Sequence, residues 1–292
     1  MKRFCSRNTT RLWFPRLCLA CALPVAMIHC AGARDADISV LASSSDQVIW
    51  EAAQADAETG HWESARKYFR RIVDGFPQSQ YGPGARLGLA DSYYREGRVS
   101  SQILAVAAYR EFLTLYPSHP RSAYAQFMLA ESQFAQRHGV DRDPTPTIEA
   151  LQEYNRLMDL YPNSPYLETA RARIQVCRQS LARAEHLVGY FYQRTRKVYR
   201  ASVSRYEYVL EQYPDYEHID EVLFRLGQVL MASLRVPEAV PYLHQLIELY
   251  PDSSFVDDAE KLLRQVPEDF DTPPPTVAAD PQVTLEESPE TS

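Results

Sequence analysis

Five times between residues 46 and 265 of this 292-residue chain an aromatic side chain is followed at once by proline: Phe76-Pro77, Tyr116-Pro117, Tyr161-Pro162, Tyr213-Pro214 and Tyr250-Pro251. Proline has no amide hydrogen and disfavours the helical conformation in the residue before it, so each pair is a helix stop. The prolines lie 40, 45, 52 and 37 residues apart, the spacing of stacked helix pairs with insertions of varying length. Reading back from the stops reveals a shared register. Ala65, Phe69 and Ile72 precede Pro77 by the same offsets as Ala150, Tyr154 and Leu157 precede Pro162, and as Ala239, Leu243 and Leu246 precede Pro251. The alanine lets two helices approach closely, and the bulky residue one turn later fills the space between neighbouring pairs.

The partner helix repeats a large-small pair with a long residue three positions on: Leu89-Ala90 with Tyr93, Leu129-Ala130 with Gln133, and Leu226-Gly227 with Leu230. The two halves resemble those of a tetratricopeptide repeat, and the resemblance implies an all-α superhelix of about five helix-turn-helix repeats over residues 46–265. The fourth copy is degenerate, with Ser202 in the alanine slot. Each copy buries its apolar stripe only against its neighbours, so the five share one continuous core. Ser45 or Asp46 is placed to cap the first helix.

The two ends differ from this middle. Lys2, Arg3, Arg7, Arg11 and Arg16 lead into an apolar run from Leu17 to Ile28, the pattern of a secretory signal peptide over residues 1–29. The run is too short for a permanent membrane span. It ends at Cys30-Ala31-Gly32, which resembles the acylated cysteine of a bacterial lipoprotein precursor, although Met27, Ile28 and His29 depart from the usual approach to that cysteine. Cys21 is a second acceptor with little apolar run behind it, and an ordinary signal peptide cut nearby is the alternative. Acylation at Cys30 would leave residues 30–45 as a tether and anchor the chain to a membrane through several acyl chains. Four of the five cysteines fall in the leader; Cys177 alone lies in the body, where an apolar helical setting makes it a buried thiol. From 266 to 292 the chain is acidic and proline-rich, with no Lys or Arg after Arg264. Such a composition is expected to stay disordered.

The largest interruption of the repeats is in the third copy, His138 to Thr147, which adds about eight residues to the usual turn. Thr147 is expected to cap a helix opening at Ile148. Asp141-Arg142-Asp143-Pro144, followed by a helix ending Tyr161-Pro162-Asn163-Ser164-Pro165-Tyr166, resembles the third repeat of the BamD (YfiO) family of outer-membrane assembly lipoproteins. The long helix through Glu185, Val188 and Tyr192, then Val203, Arg205 and Glu207 before Tyr213-Pro214-Asp215, resembles that family's fourth repeat. The resemblance covers about residues 30 to 263. It implies a scaffold on the outer membrane, lipid-anchored and facing the periplasm. The early repeats would offer a concave surface to unfolded outer-membrane proteins; the late ones would dock the POTRA region of a BamA-like partner, with accessory lipoproteins nearby. Arg205 matches a family arginine in that docking contact. Asp141, Arg142 and Asp143 are candidate partner contacts on the insertion. Tyr93, Tyr94 and Tyr124 are candidates for a groove that holds an extended aromatic segment by stacking and hydroxyl hydrogen bonds.

Nothing in the sequence favours catalysis. The seven histidines are scattered, with no paired ligands at helical spacing, no glycine-rich phosphate loop and no nucleophile elbow. No cofactor or metal is implied. A net charge of −7 disfavours nucleic-acid binding, which needs a basic surface. The competing function is another exported repeat adaptor, in cell division or envelope constriction.

Overall fold

The computed structural model describes residues 45–267. Among these residues the regular structure is helical throughout: α1 (Asp46–Glu58), α2 (Trp62–Gly75), α3 (Gly82–Glu96), α4 (Val99–Leu115), α5 (Ser122–Ala135), α6 (Thr145–Leu160), α7 (Leu167–Phe191), α8 (Tyr199–Gln212), α9 (Ile219–Ala232), α10 (Val236–Leu249) and α11 (Val256–Leu263). Each helix packs on the next, from α1 on α2 to α10 on α11, and short connections make neighbours antiparallel. The tetratricopeptide superhelix is thus present, with α11 closing the last repeat. The leader, Cys30, the tether and most of the acidic tail lie outside the described residues.

The five proline stops are one local structure built five times. Phe76, Tyr116, Tyr161, Tyr213 and Tyr250 have φ between −131° and −134° and ψ between 57° and 68°. Each donates its N–H to the carbonyl four residues back, so the last helical bond is made before proline removes the next donor. The carbonyl of each stop then accepts from the residue three on (Ser79, His119, Ser164, Tyr216, Ser253). In four copies that residue's side chain accepts the N–H two further along, through Ser79, His119, Ser164 and Ser253. Nine residues past each stop, Ala85, Ala125, Ala170, Val222 and Ala259 are all fully buried in the first turn of the next helix.

The register extends to the copies that sequence reading left unclear. Ala105, Tyr109 and Phe112 occupy the second copy's slots and are completely buried. In the fourth copy Ser202 is buried and its hydroxyl donates to the Gly189 carbonyl at 2.8 Å, so the polar substitute is satisfied rather than orphaned. A Cβ on Gly189 would lie 2.7 Å from the Tyr206 ring, and one on Gly227 would lie 2.5 Å from Leu243. These glycines are where paired helices touch.

The turns inside the pairs also recur. Gly60, Gly97, Lys197 and Leu234 take positive φ between α1 and α2, α3 and α4, α7 and α8, and α9 and α10. The third pair uses the insertion instead. There the structure corrects one expectation: α6 begins at Thr145, not Ile148, because Pro146 fits the first turn of a helix. Thr147 is buried within that turn. Pro144 takes the N-cap position, and just before it Asp143 Oδ1 accepts from the Thr145 amide (3.0 Å) and hydroxyl (2.7 Å). Those two bonds hold the Asp143 carboxyl below the usual range. Ser45 caps α1, its Oγ accepting from Val48.

Candidate functional site

The first three repeats enclose a cleft between their first helices. A recess of about 200 Å³ is lined by Trp50, Trp62, Phe69, Gly84, Gly88, Asp91, Arg95 and Arg121, among others. A second, of about 310 Å³, shares Asp91, Arg95 and Arg121 and continues along Tyr124, Pro165 and Tyr166. The two therefore form one cleft, with Asp91 and the two arginines at its centre. Glycine on α3 makes room for the aromatic wall. A Cβ at Gly84 would stand 2.8 Å from Trp50, and one at Gly88 would stand 2.5 Å from Phe69. Trp50 can therefore stack flat on Tyr81 (5.5 Å, 16°) and tilt against Phe69 at 5.8 Å.

Polar order at the centre comes from Asp91. Its Oδ1 accepts the hydroxyl of Tyr109 at 2.6 Å and that of Tyr124 at 2.9 Å, and Arg121 lies 3.8 Å from Oδ2. Burial pushes the Asp91 carboxyl above its ordinary range, against the pull of both hydroxyls and of Arg121 and Arg95. The same arrangement, after burial, raises both phenols. Arg121 spreads over the Tyr124 ring at 4.8 Å, and Tyr166 faces Tyr124 at 6.0 Å and stacks on Phe127 at 4.8 Å. Arg95 is exposed and makes no ion pair among the described residues. The cleft thus offers aromatic faces, a carboxylate fixed by two hydroxyls, and a guanidinium without an ion pair among the described residues.

Of the three tyrosines proposed from sequence, only Tyr124 lines this cleft. Tyr93 is buried in the core, its hydroxyl bonded by Arg70 and its ring 4.9 Å from Arg66. Tyr94 is half-buried, and its phenol is raised by burial and then by the charge of Glu131. Of the other lining residues, Tyr166 stands five residues past its stop, as Tyr81 and Arg121 do past theirs, and Asp91 fifteen past, as Glu131 does, but the helix register before the stops marks none of them. On the insertion, Asp141, Arg142 and Asp143 are exposed; Asp143 is bonded to Thr145, and neither Asp141 nor Arg142 forms an ion pair among the described residues. Arg205, on α8, donates to Glu185 of α7 at 2.6 Å and is half-exposed. It stands on a braced part of the repeats: Arg178 and Gln179 of α7 grip the turn after α8, through the Asp215 carboxylate and carbonyl and the Glu217 amide.

The family model of YfiO, described as an outer membrane lipoprotein, matches residues 42–232, and a tetratricopeptide-repeat model matches 221–253. The chain belongs to the YfiO family. Among the relatives of this YfiO chain is the outer membrane protein assembly factor BamD of Caulobacter vibrioides. It is 26% identical over 250 residues, which are 85% of this chain and 81% of that protein. The BamD of Neisseria gonorrhoeae is also 26% identical, over 84% of this chain and 94% of its own length. Among solved structures, the TPR2AB-domain complex of yeast Sti1 with pHSP90 aligns with 75% of this chain and 84% of its own, at 10% identity and a TM-score of 0.39. No helix among the described residues is long and apolar enough to cross a membrane.

Proposed function

We propose that this YfiO-family chain is an outer-membrane protein assembly factor, a lipoprotein anchored at Cys30 that faces the periplasm. In this reading the cleft of repeats one to three receives segments of unfolded outer-membrane proteins. Repeats four and five dock the POTRA region of a BamA-like partner, with Arg205 in that contact and accessory lipoproteins, met by Asp141 and Arg142, beside it. Family membership supports the general role. The observation that carries the substrate reading is the cleft itself, with Trp50, Trp62 and Tyr124 as stacking faces beside the free Arg95 guanidinium. Outer-membrane strands end in extended segments with aromatic residues, and an aromatic pair contributes up to about 1.5 kcal/mol beyond simple burial.

Binding of a labelled barrel-strand peptide to the purified chain tests this. Trp62→Ala and Arg95→Glu should each weaken binding by roughly tenfold with unchanged helical content. Wild-type affinity in both variants would remove the cleft from the reading. For the docking arm, Arg205→Glu should reduce co-purification with the matched BamA, whereas Glu185→Gln, which breaks only the internal pair, should not. Equal capture by the Arg205 variant would sink that contact.

A further inference from the structure

The turn between α7 and α8 holds a second unassigned feature. Arg194, Arg196, Lys197 and Arg200 fall within seven residues, all exposed, and no Asp or Glu occurs between Glu185 and Glu207. Elsewhere on the described surface the cations are mostly paired. Lys67 meets Glu63, Lys261 meets Asp258, and arginines such as Arg86, Arg178 and Arg235 meet carboxylates. Among the described residues Lys197 alone of the three lysines has no ion pair, and the arginines beside it have none either. The backbone fixes the cluster in place: the π turn Tyr192–Arg196 ends at Lys197 with φ 52° and ψ 33°, and Val198 donates to the Tyr192 carbonyl at 3.1 Å. Phe191, 46% exposed, adds an apolar face beside Arg196.

The complement lies in the same chain. Of the 38 acids and 31 bases in the sequence, residues 268–292 hold seven acids and no base. The tail alone therefore supplies seven negative charges, while without the leader's five cations residues 30–267 hold 31 acids and 26 bases. Topology brings the two together. Alternate helices run in the same direction, so the end of α7 and the end of α11 lie on one edge. Two contacts agree: Gln193 of the π turn bonds Gln228 in the second half of α9 at 2.7 Å, while Phe255 at the start of α11 stacks on Phe224 in the first half of α9. Two helix spacings of about 10 Å separate α7 from α11, and 25 residues extend up to roughly 80 Å. Tethering supplies an effective concentration that a free anionic peptide lacks.

We infer that the acidic tail docks in cis on the cation cluster of the α7–α8 turn, making that edge a surface for acidic extended segments. Carbodiimide crosslinking, which joins an amine to a carboxylate in direct contact, tests this on the full chain. Lys197 should couple to tail carboxylates well above Lys67 and Lys261. Reversing Arg194, Arg196 and Arg200 to Glu leaves the amine in place. With each exposed pair contributing a factor of roughly two, the yield should then fall by roughly eightfold. High salt should do the same. Tail coupling to Lys197 no greater than to Lys67, or coupling indifferent to charge reversal and salt, overturns the inference. So do crosslinks between chains in a mixture of isotopically light and heavy protein, which would make the partner a second copy. Tail-independent binding to phosphatidylglycerol vesicles without Lys197 crosslinks would assign the cluster to a lipid surface instead.

Discussion

Removing the Asp91 carboxylate tests the centre of the cleft and the joint between repeats two and three together. In Asp91→Ala the Tyr109 hydroxyl, on a fully buried ring, loses its acceptor, while Tyr124 is able to turn towards water. A buried donor without a partner costs about 1–3 kcal/mol. The contact with Arg121 at 3.8 Å is half-exposed and adds little. Relief of the burial penalty on Asp91 offsets part of the loss, so the substitution should cost about 2 kcal/mol. Tyr109→Phe deletes the donor itself. The double variant has no orphaned hydroxyl and should be more stable than the sum of the singles by about 1 kcal/mol. Urea unfolding followed by far-ultraviolet circular dichroism measures all four corners of the cycle. The pH dependence has a definite sign. Because the folded state raises the Asp91 pKa, protonation favours folding. The advantage of wild type over Asp91→Ala should therefore grow as pH falls towards and below the ordinary carboxylate range, and shrink as pH rises through the raised folded value. Strictly additive singles, or an advantage that shrinks on acidification, would refute the account of Asp91 as a buried two-hydroxyl acceptor.

Substituting Gly227 by Val forces a methyl-bearing carbon into Leu243 and should cost about 1–3 kcal/mol. Gly82→Ala, with nothing within 4 Å of the new carbon, should change the melting temperature little; equal effects from the two would contradict the packing. Ser202→Ala removes the donor to the Gly189 carbonyl and should destabilise by about 1 kcal/mol, read by the same unfolding assay. Cys177 is buried and its thiol is pushed up to about 11 by burial. Labelling by a thiol reagent at neutral pH should therefore proceed only at the rate of local unfolding, and prompt labelling of the native chain would place the thiol at the surface.

Much of the fold was legible because its signals are local. A proline at each stop acts through its own ring and missing donor, so five aromatic-proline pairs determined where five helices end. The shared offsets before them named the residues that are now fully buried in the first, third and fifth copies. The same offsets hold in the second and fourth copies, where Ser202 obscured the pattern until its hydroxyl was seen to reach Gly189. Thr147 went astray for a local reason too: Asp143 and Pro146 start the helix one turn earlier than the apolar pattern suggests.

The cleft was far less legible. Tyr93 and Tyr94 are adjacent and chemically identical, and Tyr124 belongs to another repeat. Which of them meets core, ion pair or open cleft depends on the rotation of α3 and α5 against their neighbours. Asp91 and Arg95 are one turn apart on α3, but Arg121 reaches Asp91 from the start of α5, and the aromatic residues of α1 and α2 close on α3 where glycines at 84 and 88 leave room. Sequence by itself determined the helix stops, the repeat register and the uneven distribution of charge, since those rest on backbone chemistry and composition. Tertiary structure decided which side chains face the cleft and which cations stay unpaired, because that is a property of how neighbouring helices pack and of no single segment.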